Sequence, residues 1–174
     1  AICQKGQDSV EAYRSRRAFG FGITTSAVAG HHLRGAAQTP EASGPRNIKW
    51  TPQGYENVPD VVYWQVRTKE IEDMTGLCVF VGTWSGAHAL EVADYAELIS
   101  AAMGIEMNEE ELLKLGQRGV NLEKAFNTIH AGFVRKDDYP PQRYLTEPIK
   151  TGPNAGMKCD KEMWDTMLTR FYEL

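Results

Sequence analysis

Residues 108–132 read NEEELLKLGQRGVNLEKAFNTIHAG, and they carry the clearest helix signal in the chain. Asn108 is a favoured N-cap residue, Glu111 stands where a capping box needs its second member, and acidic residues fill the first turn. Gly132 is placed to end the helix. The spacing predicts one buried apolar stripe, formed by Leu112, Leu115, Val120, Leu122, Phe126 and Ile129. The stretch therefore predicts a long amphipathic helix with well-defined ends.

A second helix is predicted before it, through VVYWQVRTKEIEDM at residues 61–74. Asn57 or Asp60 can cap this helix, and Gly76 supplies a stop or a tight turn. One side of the helix changes from apolar to acidic towards its C-terminal end.

Two shorter helices complete the prediction. EVADYAELISAAMG at residues 91–104 ends on a glycine, and KEMWDTMLTRFYEL at residues 161–174 follows Asp160, a suitable cap. The side chains predicted to face inward are Val92, Tyr95, Leu98 and Ile99 in the first of these helices, and Met163, Trp164, Met167, Leu168 and Phe171 in the second.

Residues 1–56 differ from the rest because they are rich in Gly, Ala, Ser, Thr and Pro. They show neither a helical nor a strand period, so we expect surface loop or close backbone approach to something bulky. Strand alternation does not persist anywhere long enough to build a sheet. The sequence thus predicts an all-α, multihelical fold with a loop-rich segment at 1–56 and a helical C-terminal domain at 57–174.

The composition argues against several classes of protein. The chain has 174 residues, 42% of them apolar and 24% charged, and a net charge of −4 with both signs mixed. Nucleic-acid binding needs clustered Lys and Arg, and the apolar runs are too short to span a membrane, so neither partner is expected. Three distant cysteines, Cys3, Cys78 and Cys159, make a poor disulfide framework and fit a reducing cytoplasm. The four histidines do not fall at metal-ligand spacing with a cysteine.

Three sequence motifs go beyond a generic helical domain. Residues 73–79, DMTGLCV, match the pattern DxxGLCx. Residues 115–143, LGQRGVNLEKAFNTIHAGFVRKDDYPPQR, fit a pattern close to GxRxxNLExxFNxxxxGxxRxDDxxPxR, and GHHLRG at residues 30–35 fits GxHLRG. With these motifs in this order, the chain resembles the tungsten-containing aldehyde:ferredoxin oxidoreductase family over nearly its whole length.

This resemblance implies the C-terminal part of a larger enzyme. Members of this family oxidise aldehydes to carboxylic acids and pass the electrons to ferredoxin. They use a tungsten (or molybdenum) bis-molybdopterin and a [4Fe–4S] cluster. The CxxCxxxC motif of the other cluster ligands, a second pterin motif and a glutamate beside the metal are not in this chain. Both cofactors would therefore need the missing upstream domains, with segment 1–56 bordering the active site. We expect the fragment alone to be inactive.

The resemblance also implies a cofactor role for the loop after the second helix. Cys78 would be the last ligand of the [4Fe–4S] cluster, reached from another domain. Asp73 would accept hydrogen bonds from the pterin, Gly76 would let the backbone approach the ring, and Leu77 would offer main-chain atoms. The structural alternative for Cys78 is a small buried core residue, a common fate of free cysteine.

His32 is the implied catalytic residue, since it precedes Leu33 and Arg34 as the family's histidine does. A histidine near the metal can hydrogen-bond the substrate and move a proton near neutral pH. His31 remains its rival, and both histidines have the alternative of bonding nearby backbone. Arg34 would anchor a pterin phosphate or an acidic loop, and its alternative is a structural ion pair.

Other residues and functions stay open. Asp137, Asp138 and Arg143 are expected to be structural, because paired acids before Pro-Pro usually fix a loop. The expected partners are ferredoxin or another electron carrier, a small aldehyde or acyl substrate, and the rest of its own chain. An aromatic acyl-CoA reductase branch of the same family is one alternative function. A helical scaffold or binding module without cofactor is the other.

Overall fold

A computed structural model describes residues 2–9, 11–41, 44–45, 47–82, 84 and 90–174. In this part of the chain the fold is all-α, as predicted. Its helices are α1 (Arg17–Thr25), α2 (Val58–Thr75), α3 (Val92–Met103), α4 (Glu109–Ala131), α5 (Gln142–Thr146) and α6 (Lys161–Glu173), with a 3₁₀ turn at Arg135–Asp138. Among the described residues the strands are limited to an antiparallel hairpin of Cys3–Gln4 and Gln7–Asp8. None of the helices described here is long and apolar enough to cross a membrane.

The predicted helix ends are confirmed where local caps define them. At the start of α4, the Glu111 N–H donates to Asn108 Oδ1 (3.0 Å) and the Asn108 N–H donates to Glu111 Oε2 (3.1 Å), which completes the capping box. Asp160 accepts from the Met163 N–H (3.0 Å) at the start of α6. Gly76 ends α2 with a φ of 74°, a left-handed conformation that glycine adopts without strain.

Helix α1 was not predicted, because the sequence of residues 1–56 indicated loop. All nine of its residues are buried, but it lacks local start signals: Arg16 makes no side-chain capping bond, and Gly20 and Gly22 are poor helix formers. A Cβ at Gly20 would collide with the Tyr13 ring, and one at Gly22 would collide with the backbone of Gly35 and Ala36. The small residues thus serve close backbone approach, the other use that the composition suggested.

The main core joins both predicted parts of the chain. Phe21 of α1 packs edge-on against Trp164 and Phe171 of α6, with ring centroids 5.5 Å apart in each pair. Val62 and Val66 of α2 belong to the same cluster. The core therefore crosses the predicted boundary at residue 56, and segment 1–56 is held by the helical part.

The C-terminal half of α4 corrects the predicted stripe. Leu112 is buried as expected, but Leu122, Phe126 and Ile129 are 71%, 61% and 76% exposed. The reason is that Gly116 faces α2, and a Cβ there would collide with the Arg67 carbonyl oxygen. Close packing at this glycine turns those three apolar side chains away from the core.

Two further predicted core residues are also exposed. Leu98 of α3 is 51% exposed and Met163 of α6 is 43% exposed. In each helix the buried face is narrower than the apolar pattern, with Val92, Tyr95 and Ala96 inside in α3. Apolar side chains are common on protein surfaces, so the pattern alone overestimates burial.

Asp138 has a structural position, as predicted for the Asp–Asp pair. Its carboxylate is buried and accepts from Lys5 Nζ (2.6 Å), Lys124 Nζ (3.0 Å) and the Tyr172 hydroxyl (2.6 Å). Burial lowers the pKa of Lys5, and the charge of Asp138 opposes that shift. Lys5 also donates to the main-chain oxygen of Thr24 (2.7 Å). This one carboxylate ties the N-terminal hairpin, α1, α4 and α6 together.

We expect Gly116→Ala to lower the free energy of unfolding by about 1–3 kcal/mol, the usual cost of overpacking a close helix contact. The added methyl group must push α4 away from the Arg67 carbonyl and the Ile71 side chain, whose Cγ1 would lie 3.2 Å from it. Denaturant unfolding measures the change. Arg118→Ala, at an exposed position nearby on α4, is the control and should change stability by less than about 0.5 kcal/mol. Equal effects of the two substitutions would contradict the close contact.

Candidate functional site

The loop that follows α2 carries the DxxGLC motif to the surface. The Leu77 N–H donates to the Glu72 carbonyl oxygen (3.0 Å), which closes the helix end. A Cβ at Gly76 would have nothing within 4 Å, so the turn is open on that side. Cys78 is exposed, which contradicts its alternative as a buried core residue. The Asp73 side chain is 50% exposed.

Arg34 is the centre of an ion-pair network at the end of α2. Its guanidinium pairs with Glu70 (2.9 Å), with Asp73 and with Glu123 of α4, although only 17% of the Arg34 side chain is exposed. Burial alone would lower the pKa of Arg34, but the hydrogen bond and charge of Glu123, followed by the charges of Asp73 and Glu70, raise it. Of the predicted uses of Arg34, the structure has the structural ion pair, formed with carboxylates of α2 and α4.

The ionised form of Glu70 is disfavoured within this network. Burial raises the pKa of its carboxyl, and the neighbouring Glu123 charge raises it further, while Arg34 opposes both. Three carboxylates around one guanidinium leave an excess of negative charge beside the loop. The network therefore depends on Arg34, since the carboxylates would otherwise repel one another.

His32 lies in an aromatic and acidic environment. Its Nδ1 is hydrogen-bonded to Glu11 Oε1. Its ring stacks on Trp84, with centroids 5.1 Å apart and planes 9° apart, and on Phe19, with centroids 5.6 Å apart and planes 28° apart. The side chain is 31% exposed, so it is held in place yet accessible.

His31 makes different contacts, although it is adjacent in sequence. The Leu33 backbone N–H donates to His31 Nδ1 (3.1 Å), the local backbone bond that was the structural alternative for both histidines. Burial lowers the pKa of His31, and the charges of His32 and Arg34 act in the same direction. The structure thus separates two histidines that the sequence did not.

Trp84 connects His32 to the cysteine loop. Its backbone N–H donates to the Val79 carbonyl oxygen (3.4 Å), one residue after Cys78. Its ring contacts His32 on the stacked pair described above and Phe80 edge-on, with centroids 6.5 Å apart. Residues 31–35, far from residues 73–82 and 84 in the chain, therefore lie close to them in the fold.

A buried ion pair lies beneath this site. Lys69 Nζ is 3.0 Å from Glu72 Oε2, and their side chains are 2% and 1% exposed. The Tyr95 hydroxyl donates to Glu72 Oε1 (3.1 Å), and Lys69 Nζ lies 4.9 Å from the centroid of the Trp84 ring. Burial lowers the pKa of Lys69, with the charge of Glu72 opposing it. These contacts fix the last turn of α2, from which the loop emerges.

The remaining cysteines and histidines lie outside the site. Cys159 is buried in the main core, and burial raises its pKa to about 12. Cys3 is exposed and hydrogen-bonded to Asp8 (3.2 Å). His130 packs against Phe126 on α4, with ring centroids 4.3 Å apart. His88, predicted to be a core or surface residue, lies outside the described residues.

Cys78 could supply one exposed thiolate to an iron–sulfur cluster. An iron–sulfur cluster of the cubane type needs four thiolates, and the whole chain contains three cysteines. Within the described residues no group of three or more His, Cys, Asp or Glu side chains is arranged to hold a metal ion. An exposed Cys78 beside an open turn fits a single ligand that completes a cluster from elsewhere. The same open turn leaves room for a flat ring next to Asp73.

Comparison with known proteins identifies the family. A family model described as aldehyde ferredoxin oxidoreductase, domains 2 and 3, matches residues 1–174. The chain belongs to the aldehyde ferredoxin oxidoreductase family. It is similar to the tungsten-containing aldehyde ferredoxin oxidoreductases of Pyrococcus horikoshii (33% identical), Pyrococcus abyssi (34%) and Pyrococcus furiosus (32%), each over 163 residues.

Each of these alignments covers 92% of this chain and 25% of the relative. The chain thus spans about a quarter of the length of the curated relatives it matches. Sequence reasoning had found the family from its motifs, and that prediction is confirmed.

Sequence reasoning missed several members of the site. Glu11, Glu70 and Glu123 were not singled out as partners of the motif residues, although Glu123 lies within the NLE part of the α4 pattern. The contact of Trp84 with His32 was not foreseen either. Two signals were available in the sequence. The family pattern includes Glu123, and the acidic side of the second helix includes Glu70.

We expect Arg34→Ala to lower the free energy of unfolding by about 2–3 kcal/mol near neutral pH, somewhat below the cost of breaking a fully buried pair because Asp73 and Glu123 keep solvent contact. Without the guanidinium, the pKa of Glu70 rises further in the folded chain. A carboxyl whose pKa is raised by folding binds protons better when folded, so its destabilising effect grows as pH increases. The deficit should therefore shrink from about pH 7 to about pH 5.

The matched control is Lys114→Ala, which removes the cation of an exposed pair with Glu110. Exposed pairs of this kind contribute about 0.3–0.5 kcal/mol. Denaturant unfolding of both variants at the two pH values measures the difference. A deficit for Arg34→Ala that equals the control, or that grows on acidification, would contradict the network.

Proposed function

We propose that this chain forms part of an oxidoreductase that oxidises aldehydes to carboxylic acids with a tungsten (or molybdenum) bis-molybdopterin and a [4Fe–4S] cluster. Ferredoxin is the proposed electron acceptor. The observation that carries the proposal is the meeting of the His32 segment with the Cys78 loop, through Arg34–Asp73 and through Trp84. Family membership and the names of the relatives support the tungsten chemistry.

Cys78 is proposed to be one ligand of the cluster. Its exposure and its position after an open turn support this role, because a ligand to a shared cluster must reach out of its own domain. Met74, Phe80 and Val81 are 53%, 68% and 51% exposed around it. Apolar side chains beside a metal ligand are suited to exclude water and to contact the rest of the protein.

Asp73, Gly76 and Leu77 are proposed to hold a pterin. Arg34 occupies Oδ2 of Asp73. The other carboxylate oxygen can accept from an amino-pyrimidine edge, since a carboxylate has about four lone-pair sites. Arg34 then orients the Asp73 carboxylate towards the pterin. A cofactor phosphate would have to compete with three carboxylates for the Arg34 guanidinium.

His32 is proposed to act on the substrate. Oxidation of an aldehyde with water yields the acid, two protons and two electrons; the metal and its pterins supply the two-electron chemistry when bound. His32 can take one of the protons at its ring nitrogen Nε2 and hydrogen-bond the substrate oxygen. Its accessible but aromatic surroundings suit a group that must be oriented and kept from bulk water.

The test is the metal content and activity of the anaerobically purified full-length gene product. We expect roughly one W (or Mo) and about four Fe per chain, with aldehyde-dependent reduction of ferredoxin. Cys78→Ser should lose most of the iron and the electron transfer to ferredoxin, because the cluster loses one of its four ligands. Cys3→Ser, which removes the other exposed thiol, is the control and should keep both.

Two results would contradict this proposal. A folded full-length product without W, Mo or Fe would favour the scaffold function instead. A full iron content in Cys78→Ser would exclude Cys78 as a ligand of the cluster. Reduction of an aromatic acyl-CoA in place of aldehyde oxidation would leave the cofactors in place and change the substrate class.

A further inference from the structure

We infer that Glu11 is a positioning residue for His32, holding the imidazole in the tautomer that leaves Nε2 free to take a proton. The inference rests on the proposed function, in which His32 acts on the substrate. Nδ1 of His32 is hydrogen-bonded to Glu11 Oε1. A carboxylate can only accept a hydrogen bond, so the proton is on Nδ1. In the neutral ring Nε2 then carries a lone pair and can serve as the base.

Glu11 is held in place by a contact that does not involve its carboxylate. The Tyr144 hydroxyl donates to the Glu11 main-chain oxygen (2.8 Å). Tyr144 is itself buried and packs edge-on against Tyr13, with ring centroids 4.8 Å apart. The main core therefore presents the Glu11 carboxylate to His32, and removal of the carboxylate leaves that anchor intact.

The ring of His32 is fixed in orientation as well as in tautomer. Phe19 and Trp84 pack on it, which restricts rotation of the ring. Among the described residues Nε2 of His32 has no hydrogen-bond partner. One nitrogen is thus held by Glu11 and the ring plane by two aromatic side chains, while the second nitrogen remains available.

The neighbouring histidine provides an internal reference. His31 Nδ1 accepts a hydrogen bond from the Leu33 backbone, so its proton in the neutral ring is on Nε2. Two consecutive histidines therefore hold opposite tautomers. A change at Glu11 should affect the ring nitrogens of His32 and leave those of His31 as they were.

The first experiment is nitrogen NMR on the full-length gene product with selectively labelled histidine, assigned from the spectra of His31→Gln and His32→Gln. In the unmodified protein we expect the neutral Nδ1–H form at His32 and the Nε2–H form at His31. Glu11→Ala should remove the Nδ1–H form as the dominant one at His32. Glu11→Gln should retain it, because the amide oxygen can accept the same hydrogen bond.

The second experiment separates positioning from structure by kinetics. Glu11→Ala should lower kcat by about 10- to 100-fold, as loss of the orienting partner of a functional histidine does, with metal content and KM little changed. Glu11→Gln should recover part of kcat. If Glu11 acts only through His32, the double variant with His32→Gln should be no slower than His32→Gln alone. Glu147→Ala, which removes a carboxylate from an exposed pair with Arg143, is the control and should leave kcat unchanged.

The outcomes distinguish this inference from the proposed function. An Nε2–H form at His32 in the unmodified protein, or an Nδ1–H form that persists in Glu11→Ala, overturns the inference whatever the activity. Additive losses in the double variant also overturn it, because Glu11 would then act elsewhere. Full activity of metal-loaded His32→Gln, together with the tautomer change in Glu11→Ala, would instead overturn the role of His32 in the proposed function.

Discussion

Close packing of α2 on α4 forces three carboxylates together, and the site depends on how their charge is balanced. Gly116 allows the two helices to approach without a side chain between them. Glu70 and Asp73 of α2 then meet Glu123 of α4. The positive charge of Arg34 offsets the repulsion between these carboxylates by forming an ion pair with each of them. Since Arg34 belongs to the loop after α1, this balance also draws that loop to the end of α2.

The same constraint brings the two halves of the candidate site together. His32 is two residues before Arg34, so the ion-pair network sets the position of the histidine relative to the Cys78 loop. Trp84 closes the arrangement from the other side by stacking on His32. The buried pair of Lys69 and Glu72 beneath them contributes little net stability, because burying both charges costs about as much as their attraction returns. Its contacts with Tyr95 and between the two charged groups hold the last turn of α2, from which the Cys78 loop emerges.

Local signals explain which parts of the fold the sequence could predict. The capping box at Asn108 and the glycine at Gly76 act within a few residues, so α4 and the end of α2 could be placed from composition and spacing. Helix α1 could not, because it has neither an N-cap bond nor an acidic first turn, and two of its nine residues are glycines of low helix propensity. Phe126 was predicted to be buried and is exposed. Gly116, a small residue, faces α2, so the largest apolar side chains of α4 do not define its buried face.

In the candidate site, the sequence motifs locate the residues, and the tertiary contacts determine the hydrogen bonds that each residue makes. The motifs placed His32, Asp73 and Cys78 in one family pattern, but a pattern cannot say which nitrogen of a histidine carries the proton. His31 and His32 are adjacent and chemically identical, and they differ because one ring faces its own backbone while the other faces Glu11, 21 residues earlier. The chemistry of an imidazole is set by the partner of its second nitrogen. For these two residues, the hydrogen-bond partner of each ring therefore follows from the fold around α1, the element that the sequence did not predict.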